Sequence, residues 1–358
     1  MGVSGDFVTS PSLGSDFAAL LAQQLHDWLD QLHARHPEAP LTLVEVGPGE
    51  GHLAHDLIRE LVRLSPPWLA RFSVVMVERN PGMESRQRAR LAGCDPVPVR
   101  WMSLDDLQNT PVTGVMLGHE LLDAFPVERL LLREGELRQM CVVLSTSTQG
   151  EPWLEWSDQP LPAELQQQLV WAAEVCDLVL PPPQASEGWT SEWHTGVQPW
   201  LNSAALALDS GVLLLVDYAH EAARYYSPRR SSGTLMAYRH QRASSELLAS
   251  AGEADLTAHL CLETLMAQAK QAGFDRLGQC RQGEALLALG LSERLHALQQ
   301  LPGAQLGEAL RRRETLLRLV DPAALGEFRW MAFSRAEHLT ESPRAIRSRC
   351  FEAPASPI

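Results

Sequence analysis

Lysine is nearly missing from this chain. Of the 30 basic residues in 358, Lys270 is the single lysine, so Schiff-base and lysine-nucleophile chemistry are poor candidates. Positive charge is short overall: 44 acids against 30 bases leave a formal net charge of −14, which argues against tight nonspecific binding to nucleic acid or an anionic membrane. No C-x-x-C pair occurs. The six cysteines (Cys94, Cys141, Cys176, Cys261, Cys280, Cys350) lie far apart, which fits scattered thiols in a reducing compartment better than a zinc ribbon or a disulfide frame. No uninterrupted apolar stretch reaches the length of about 18 residues expected of a membrane span. The start, MGVSGDFVTSPS, has neither a basic n-region nor an apolar h-region. The twelve histidines form no H-x-x-x-H or H-E-x-x-H pair, and there is no G-x-S-x-G elbow. The expectation is a cytoplasmic protein with no metal, no membrane insertion and no nucleic-acid partner.

What is present is a core-forming pattern, with 45% hydrophobic residues. Residues 15–33 carry apolar positions at helical spacing, with Ser15 or Asp16 as the expected N-cap. LTLVEV reads as a buried strand, HLAHDLIRELVRL as a helix stopped by Ser65-Pro66-Pro67, and Ser73–Val77 as a strand. PGMESRQRARLA is helical, and Val97–Trp101 and VTGVML (112–117) are further strands. This alternation predicts parallel strands with crossover helices, a doubly wound α/β sheet. Residues 127–156 interrupt it with a predicted hairpin around Glu134-Gly135. GVLLLVDY (211–218) predicts a fifth core strand, and 221–256 read as irregular. A helix is expected over 256–272, strand at FDRLGQC, Leu-rich amphipathic helices over 283–320, and a last strand at FRWMAF (328–333). The tail beyond Ser334 is expected to be loosely held.

The segment after the first strand carries the chemistry. LVEVGPGEG places glycines at 47, 49 and 51, which permit positive φ and close backbone approach just before a helix at His52. A dinucleotide fingerprint would want its third glycine at 52, which is His52. The E-x-G-x-G-x-G spacing from Glu45 suits S-adenosylmethionine instead, which has no pyrophosphate and lays its methionine portion along the loop. Glu78, ending the next strand, is placed to accept both ribose hydroxyls. It follows Gly51 by 27 residues, against the usual interval of about 20, and the Pro66-Pro67-Trp68 loop accounts for the excess.

Longer segments occur in order: GDFVTSP (5–11), VEVGPGEGHLAHDLI, HELLDAFPVERL (119–130), GVLLLVDYA, SSGTLMAYRHQ, DLTAHL (255–260) and GEALLALGLSERLHAL (283–298). Together they resemble the MidA-like family of S-adenosylmethionine-dependent methyltransferases, relatives of the mitochondrial complex I assembly-factor methyltransferase, over residues 5 to about 333. The resemblance implies a class I methyltransferase fold, a Rossmann-like doubly wound sheet with an inserted β-hairpin and helical cap regions. It further implies methylation of an arginine on a protein partner such as a respiratory complex I subunit. Three departures from the family are expected: an N-terminal helical segment usual before GDF is one this chain lacks or has lost, His119-Glu120-Leu121-Leu122 stands where the family has Asn-Glu-Phe-Phe, and Ala219 follows Asp217-Tyr218 where the family has glycine.

HELLDAFP follows the fourth strand, at the carboxyl end where ligands meet in such sheets. If the segment turned helically, Glu120 and Asp123 would share one side, pin a guanidinium bidentately and accept its proton. Glu120 could instead cap a helix or touch the cofactor, and His119 could act as a base or be a hydrogen-bonding spacer. The cofactor set comprises Glu45, Gly47, Gly49, Gly51 and Glu78, with Asp6, Thr9 and Ser10 in a loop folded over the cofactor and with Ser103. Asp217, Tyr218 and His259 are expected in a substrate cleft, Asp255 or Thr257 as a helix N-cap, and Glu192 as a further hydrogen-bonding candidate. YYSPRRSSGTLMAYRH is read as a loop beside the active site.

The expected organisation is a first core part over 1–127, an inserted hairpin and cap over 128–190, a core continuation over 191–282 with an active-site loop at 221–256, a helical insertion over 283–325, and the last strand and tail over 326–358. Two alternatives stay open, a small-molecule methyltransferase and an assembly chaperone that binds the cofactor without essential catalysis. A dimer is compatible with the sequence.

Overall fold

The apolar runs pack where their periods require. The structure, a computed structural model, describes residues 9–146, 150–239, 242–336 and 346–352. The chain divides into two units, one of residues 1–121, 202–217 and 272–358, the other of 122–201 and 218–271. This grouping differs from the expected five-part division. Residues 191–201 and 218–271 join the inserted region rather than the core, and 283–325 belong with the core.

The first unit is built on a seven-stranded sheet. Its strands are β1 (Leu41–Val46), β2 (Phe72–Val77), β3 (Val99–Trp101), β4 (Val112–His119), β5 (Leu208–Asp217), β6 (Asp275–Arg281) and β7 (Arg329–Ala336). Their spatial order is 3-2-1-4-5-7-6. All pairs are parallel except those made by β7, which runs antiparallel to both neighbours. Every residue of β1 is buried, as expected of a central strand covered on both faces. Strand order reverses between β1 and β4, so their carboxyl ends flank the crevice where doubly wound sheets take their ligands.

Helix α1 (Ser15–Arg35) packs on this sheet through Phe17, Leu21, Leu25, Trp28 and Leu32. Its N-cap is Gly14, not Ser15 or Asp16. Asp16 is buried and bound by Arg294 (3.0 Å) and Arg312 (2.7 Å), because a carboxylate enclosed by helices needs charged partners more than a frayed turn needs a cap. Helix α2 (His52–Leu64) buries Leu53, Ala54, Leu57, Ile58 and Leu61, one stripe at period 3.6, and stops at Ser65 in the left-handed region. α3 (Pro81–Leu91) and α4 (Leu104–Asn109) follow, with α5 (Gln282–Ala288), α6 (Leu291–Gln299) and α7 (Leu306–Val320) near the C-terminus. The tail is partly held, contrary to expectation. Trp28 donates its indole N–H to the Ser348 hydroxyl (3.0 Å), and the Cys350 N–H donates to the side-chain amide oxygen Oε1 of Gln24 (2.8 Å).

The second unit has more regular structure than the sequence suggests. The predicted hairpin is two strands of an antiparallel four-stranded sheet in the order Pro152–Pro160, Glu136–Thr146, Val127–Arg133, Thr190–His194. One face packs against helix Ala163–Cys176 through Leu130, Leu132, Trp189, Trp193, Leu165 and Ala172. The segment expected to be irregular contains the three-stranded sheet of Met236–Arg239, Arg242–Ser244 and Asp255–Thr257. The helix expected from 256 begins at Leu262, so Asp255 and Thr257 are strand residues and cap nothing.

Candidate functional site

The turn between β1 and α2 is made from backbone alone. Gly47, Gly49 and Gly51 have φ of 65°, 54° and 77°, and Gly51 is the N-cap of α2. The Gly47 N–H donates to the Val77 carbonyl (3.0 Å), which ties the loop to the end of β2. A Cβ at position 47 would lie 2.8 Å from Leu121 Cδ1, a side-chain end that could turn aside, so it is the positive φ that keeps side chains out of this cradle.

Glu45 sits one residue before the end of β1 and is buried. One of its carboxylate oxygens has no hydrogen-bond partner among the described residues. Desolvation pushes its pKa up to about 8, opposed by a hydrogen bond from the Ala54 N–H, so the group is largely protonated at neutral pH. An unsatisfied acid beside a glycine cradle at a helix N-terminus fits the ammonium and carboxylate of an amino-acid ligand. A half-open cavity of about 70 Å³ brings the pieces together, with Thr9, Ser12, Glu45, Gly47, Gly49, His52, His119 and Glu120 in its walls.

Glu120 stands immediately beyond β4 with φ +48°, a left-handed conformation that costs about 1 kcal/mol or more for a residue with a side chain. Two contacts hold it there. Its own N–H donates to the Val216 carbonyl (2.8 Å), and the next N–H, of Leu121, donates to the Asp217 carboxylate (3.1 Å). Residues 120–126 form bends and turns, so the helical argument for pairing Glu120 with Asp123 fails. His119 is buried against Phe17 and Phe328, with Nδ1 3.4 Å from Glu120 Oε1. Desolvation lowers its pKa to about 3, which makes this contact one between a neutral imidazole and an acid rather than an ion pair. So weak a base is mismatched to proton abstraction at neutral pH, and the spacer reading of His119 is the better one.

Other expected site residues are engaged elsewhere. Ser10 is buried on Gln282, accepting from its amide (3.2 Å), and lies outside the cavity wall. Ser103 caps α4, accepting from the Asp106 N–H (3.0 Å). Asp217 is buried at the end of β5 and holds the turn after Glu120, a role the strand-end position did not reveal. Glu78 follows β2 as expected. Its Oε1 accepts from the N–H groups of Arg79 and Asn80 (2.8 Å each), and it is not among the cavity-lining residues. Asp6 lies outside the described residues. His52, which the sequence places at the start of the helix after the glycine loop facing cofactor or solvent, lines the cavity; Ser12 was missed, and its only signal was its place two residues after Ser10.

Asp123, Tyr218 and His259 belong to the second unit. Asp123 is buried and its carbonyl accepts from the Ala258 N–H (2.9 Å). Tyr218 stacks on His259, with centroids 5.4 Å apart and planes 7° off parallel. His259 Nδ1 is 2.9 Å from His220 Nε2, and its carbonyl accepts from His194 Nε2 (2.9 Å). Glu192 is fully buried and accepts from the Thr234 N–H (2.7 Å) and hydroxyl (3.0 Å); a Cβ on Gly233 would lie 2.0 Å from its Oε1. Among the described residues no group of three or more His, Cys, Asp or Glu is arranged to hold a metal, and no helix is long and apolar enough to cross a membrane.

These burials make stability depend on pH. Desolvation lowers His194 and His259 to about 4 and His220 to about 3, from an ordinary 6.5. Between pH 6.5 and about 4 the unfolded chain therefore binds protons that the folded second unit refuses, and stability falls as pH falls. In the first unit His119 acts in the same direction. Glu45, raised from 4.5 to about 8, acts in the opposite one, losing stability as pH rises through that window. Thermal melts at pH 7 and pH 5 should show a lower transition at pH 5, most marked for the second unit if the units melt separately. A higher transition at pH 5 would contradict the assignment of neutral histidines.

Comparison with known proteins agrees with this geometry. The profile of a family described as "Putative S-adenosyl-L-methionine-dependent methyltransferase" matches residues 20–280. A zebrafish (Danio rerio) protein named protein arginine methyltransferase NDUFAF7, mitochondrial, is 26% identical over 83% of this chain and 69% of its own length. The Drosophila melanogaster homologue is 26% identical over 96% of this chain and 78% of its own. A Burkholderia thailandensis crystal structure with S-adenosyl-homocysteine bound superposes with a TM-score of 0.76 at 26% identity, covering 93% of this chain and 82% of that one.

Proposed function

The chain belongs to this family of S-adenosyl-L-methionine-dependent methyltransferases, and from that premise we propose that its acceptor is an arginine guanidinium on a protein partner. The observation that carries the proposal is the wall of the first-unit cavity, where Glu45 and Glu120 converge beside the glycine cradle. With Glu45 given to the cofactor, the Glu120 carboxyl in this partly desolvated cleft suits a planar, multiply donating cation better than a neutral hydroxyl or carbon acid. The relatives named protein arginine methyltransferases support the same acceptor.

S-adenosylmethionine, when bound, supplies an activated methyl group. Gly47, Gly49, Gly51 and Glu45 would hold its amino-acid end, with Thr9 closing over it and Glu78 taking the ribose. Glu120 would orient the guanidinium so that one nitrogen lone pair faces the methyl carbon, and would take the proton that nitrogen loses. Asp217 and the Val216 carbonyl keep Glu120 in its left-handed conformation, so its carboxyl arrives preorganised. In the same proposal the partner is of the class implied by the sequence resemblance, a respiratory complex I subunit. A reducing, cytoplasm-like compartment suits six cysteines that are all free.

The test is incubation of purified protein with methyl-labelled S-adenosylmethionine and a cell extract, followed by acid hydrolysis of the labelled species. Label in a protein band that hydrolyses to methylarginine is the expected result. Label confined to small molecules, or in another amino acid, would overturn the acceptor assignment.

A further inference from the structure

Helix α3 has no residue among the expected site set, yet it braces the glycine loop. Arg90 Nε donates to the Glu50 carbonyl (2.9 Å), and Arg86 reaches the Glu50 carboxylate (3.3 Å). Between them Gln87 is fully buried, and each of its polar atoms is engaged. Its amide nitrogen donates one hydrogen to the Gly49 carbonyl (2.7 Å) and the other to Glu78 Oε2 (2.9 Å). Its amide oxygen accepts from the Trp101 indole N–H (2.8 Å). A Cβ on Gly51 would come within 3.4 Å of Gln87 Cγ, so the third glycine of the loop packs on the same side chain.

Only a neutral amide meets these demands. The site requires two donors on one atom and an acceptor on its neighbour, which glutamate, methionine and lysine each fail to provide. A buried residue that merely filled space would need none of these bonds. Instead its two donors go to two different parts of the proposed cofactor site, the middle of the glycine loop and the acid after β2. The second bond also disposes the Glu78 carboxylate: with Oε1 committed to the Arg79 and Asn80 N–H groups and Oε2 to Gln87, the carboxyl plane is held by three donors.

We propose that Gln87 is a positioning residue that couples the glycine loop to Glu78, holding the amino-acid and ribose contacts of S-adenosylmethionine in one fixed register. The proposal rests on the reading of Glu78 as the ribose acid. It places Gln87 outside the catalytic set, acting on cofactor affinity through two groups that touch the cofactor.

The test uses the full chain and calorimetry with S-adenosyl-homocysteine on four proteins: wild type, Gln87→Met, Glu78→Ala and the double variant. Gln87→Met should weaken binding roughly tenfold or more, the effect of losing one or two buried hydrogen bonds. Glu78→Ala should weaken it as well. The double variant should be tighter than the product of the two single losses by about threefold or more, because groups in one hydrogen-bond network do not add independently. Multiplicative losses in the double variant, or wild-type affinity in a Gln87→Met protein with native melting, would overturn the coupling. Unchanged binding in Glu78→Ala would overturn the ribose-acid reading and the proposal with it. Should Gln87→Met not fold, Gln87→Glu keeps the size and the acceptor for Trp101 but sets a carboxylate against Glu78. It should bind more weakly than wild type, and equal affinity would sink the proposal.

Discussion

Replacing Glu120 by glutamine should cut methyl incorporation by about two to four orders of magnitude while leaving S-adenosyl-homocysteine affinity within about twofold of wild type. The substitution is close to isosteric. It preserves the packing beyond β4, the Glu120 N–H bond to Val216 and the Leu121 N–H bond to Asp217, all of which use backbone on the Glu120 side. What it removes is the charge that would attract a guanidinium and the oxygen that would take its proton. The glycine cradle and Glu45 are untouched, so cofactor binding and transfer separate cleanly. Incorporation from labelled donor into the extract acceptor measures one, calorimetry the other. A variant with full activity would dismiss Glu120 from its role. A variant that lost binding and transfer together would instead assign Glu120 to the cofactor.

The legible parts of this site were those written in local pattern. Three alternating glycines between a buried strand and an amphipathic helix permit the positive-φ backbone a tight turn needs there, and the observed φ values use it. Strand ends were partly readable: Glu78 lies just beyond β2, where the apolar run stops, whereas β4 runs two residues past its apolar run to the buried His119, with Glu120 next. What could not be read was which way a polar side chain turns. Ser10 neighbours Thr9, yet it is buried on Gln282, a residue 272 positions away. Asp16 looked like a cap until two arginines from distant helices claimed it. Asp217 looked like a cleft residue until a backbone N–H brought near by strand pairing took its carboxylate. Gln87 sits in the stretch PGMESRQRARLA, whose pattern predicts only a helix, and the fold alone shows its amide between loop and acid. In the second unit, long-range pairing makes sheets from segments whose local composition reads as loop, because β structure is stabilised across strands rather than along them.

Gly114 should be the least replaceable residue of the core sheet. It lies in β4 in register with Thr42 of β1 on one side and Gly211 of β5 on the other. A Cβ at 114 would stand 1.8 Å from the Thr42 carbonyl oxygen and 2.8 Å from the Thr42 backbone nitrogen. A Cβ at 211 would in turn stand 1.9 Å from the Gly114 carbonyl oxygen. These are contacts with backbone in the three central strands, so no side-chain rotation can relieve them, and β1 and β4 would have to separate. Separation strains the parallel ladder and shifts the two carboxyl ends that carry the glycine cradle and Glu120. Gly114→Ala should therefore cost more than about 4 kcal/mol, a loss that only backbone clashes and comparable core defects reach, and leave little folded protein. Gly303→Ala is the matched control, since a Cβ there meets nothing within 4 Å, and it should stay within about 0.5 kcal/mol of wild type. Urea unfolding of both variants decides the matter. A Gly114→Ala protein of near-native stability would mean that β1, β4 and β5 are spaced more widely than described, and the crevice built on their ends would need to be redrawn.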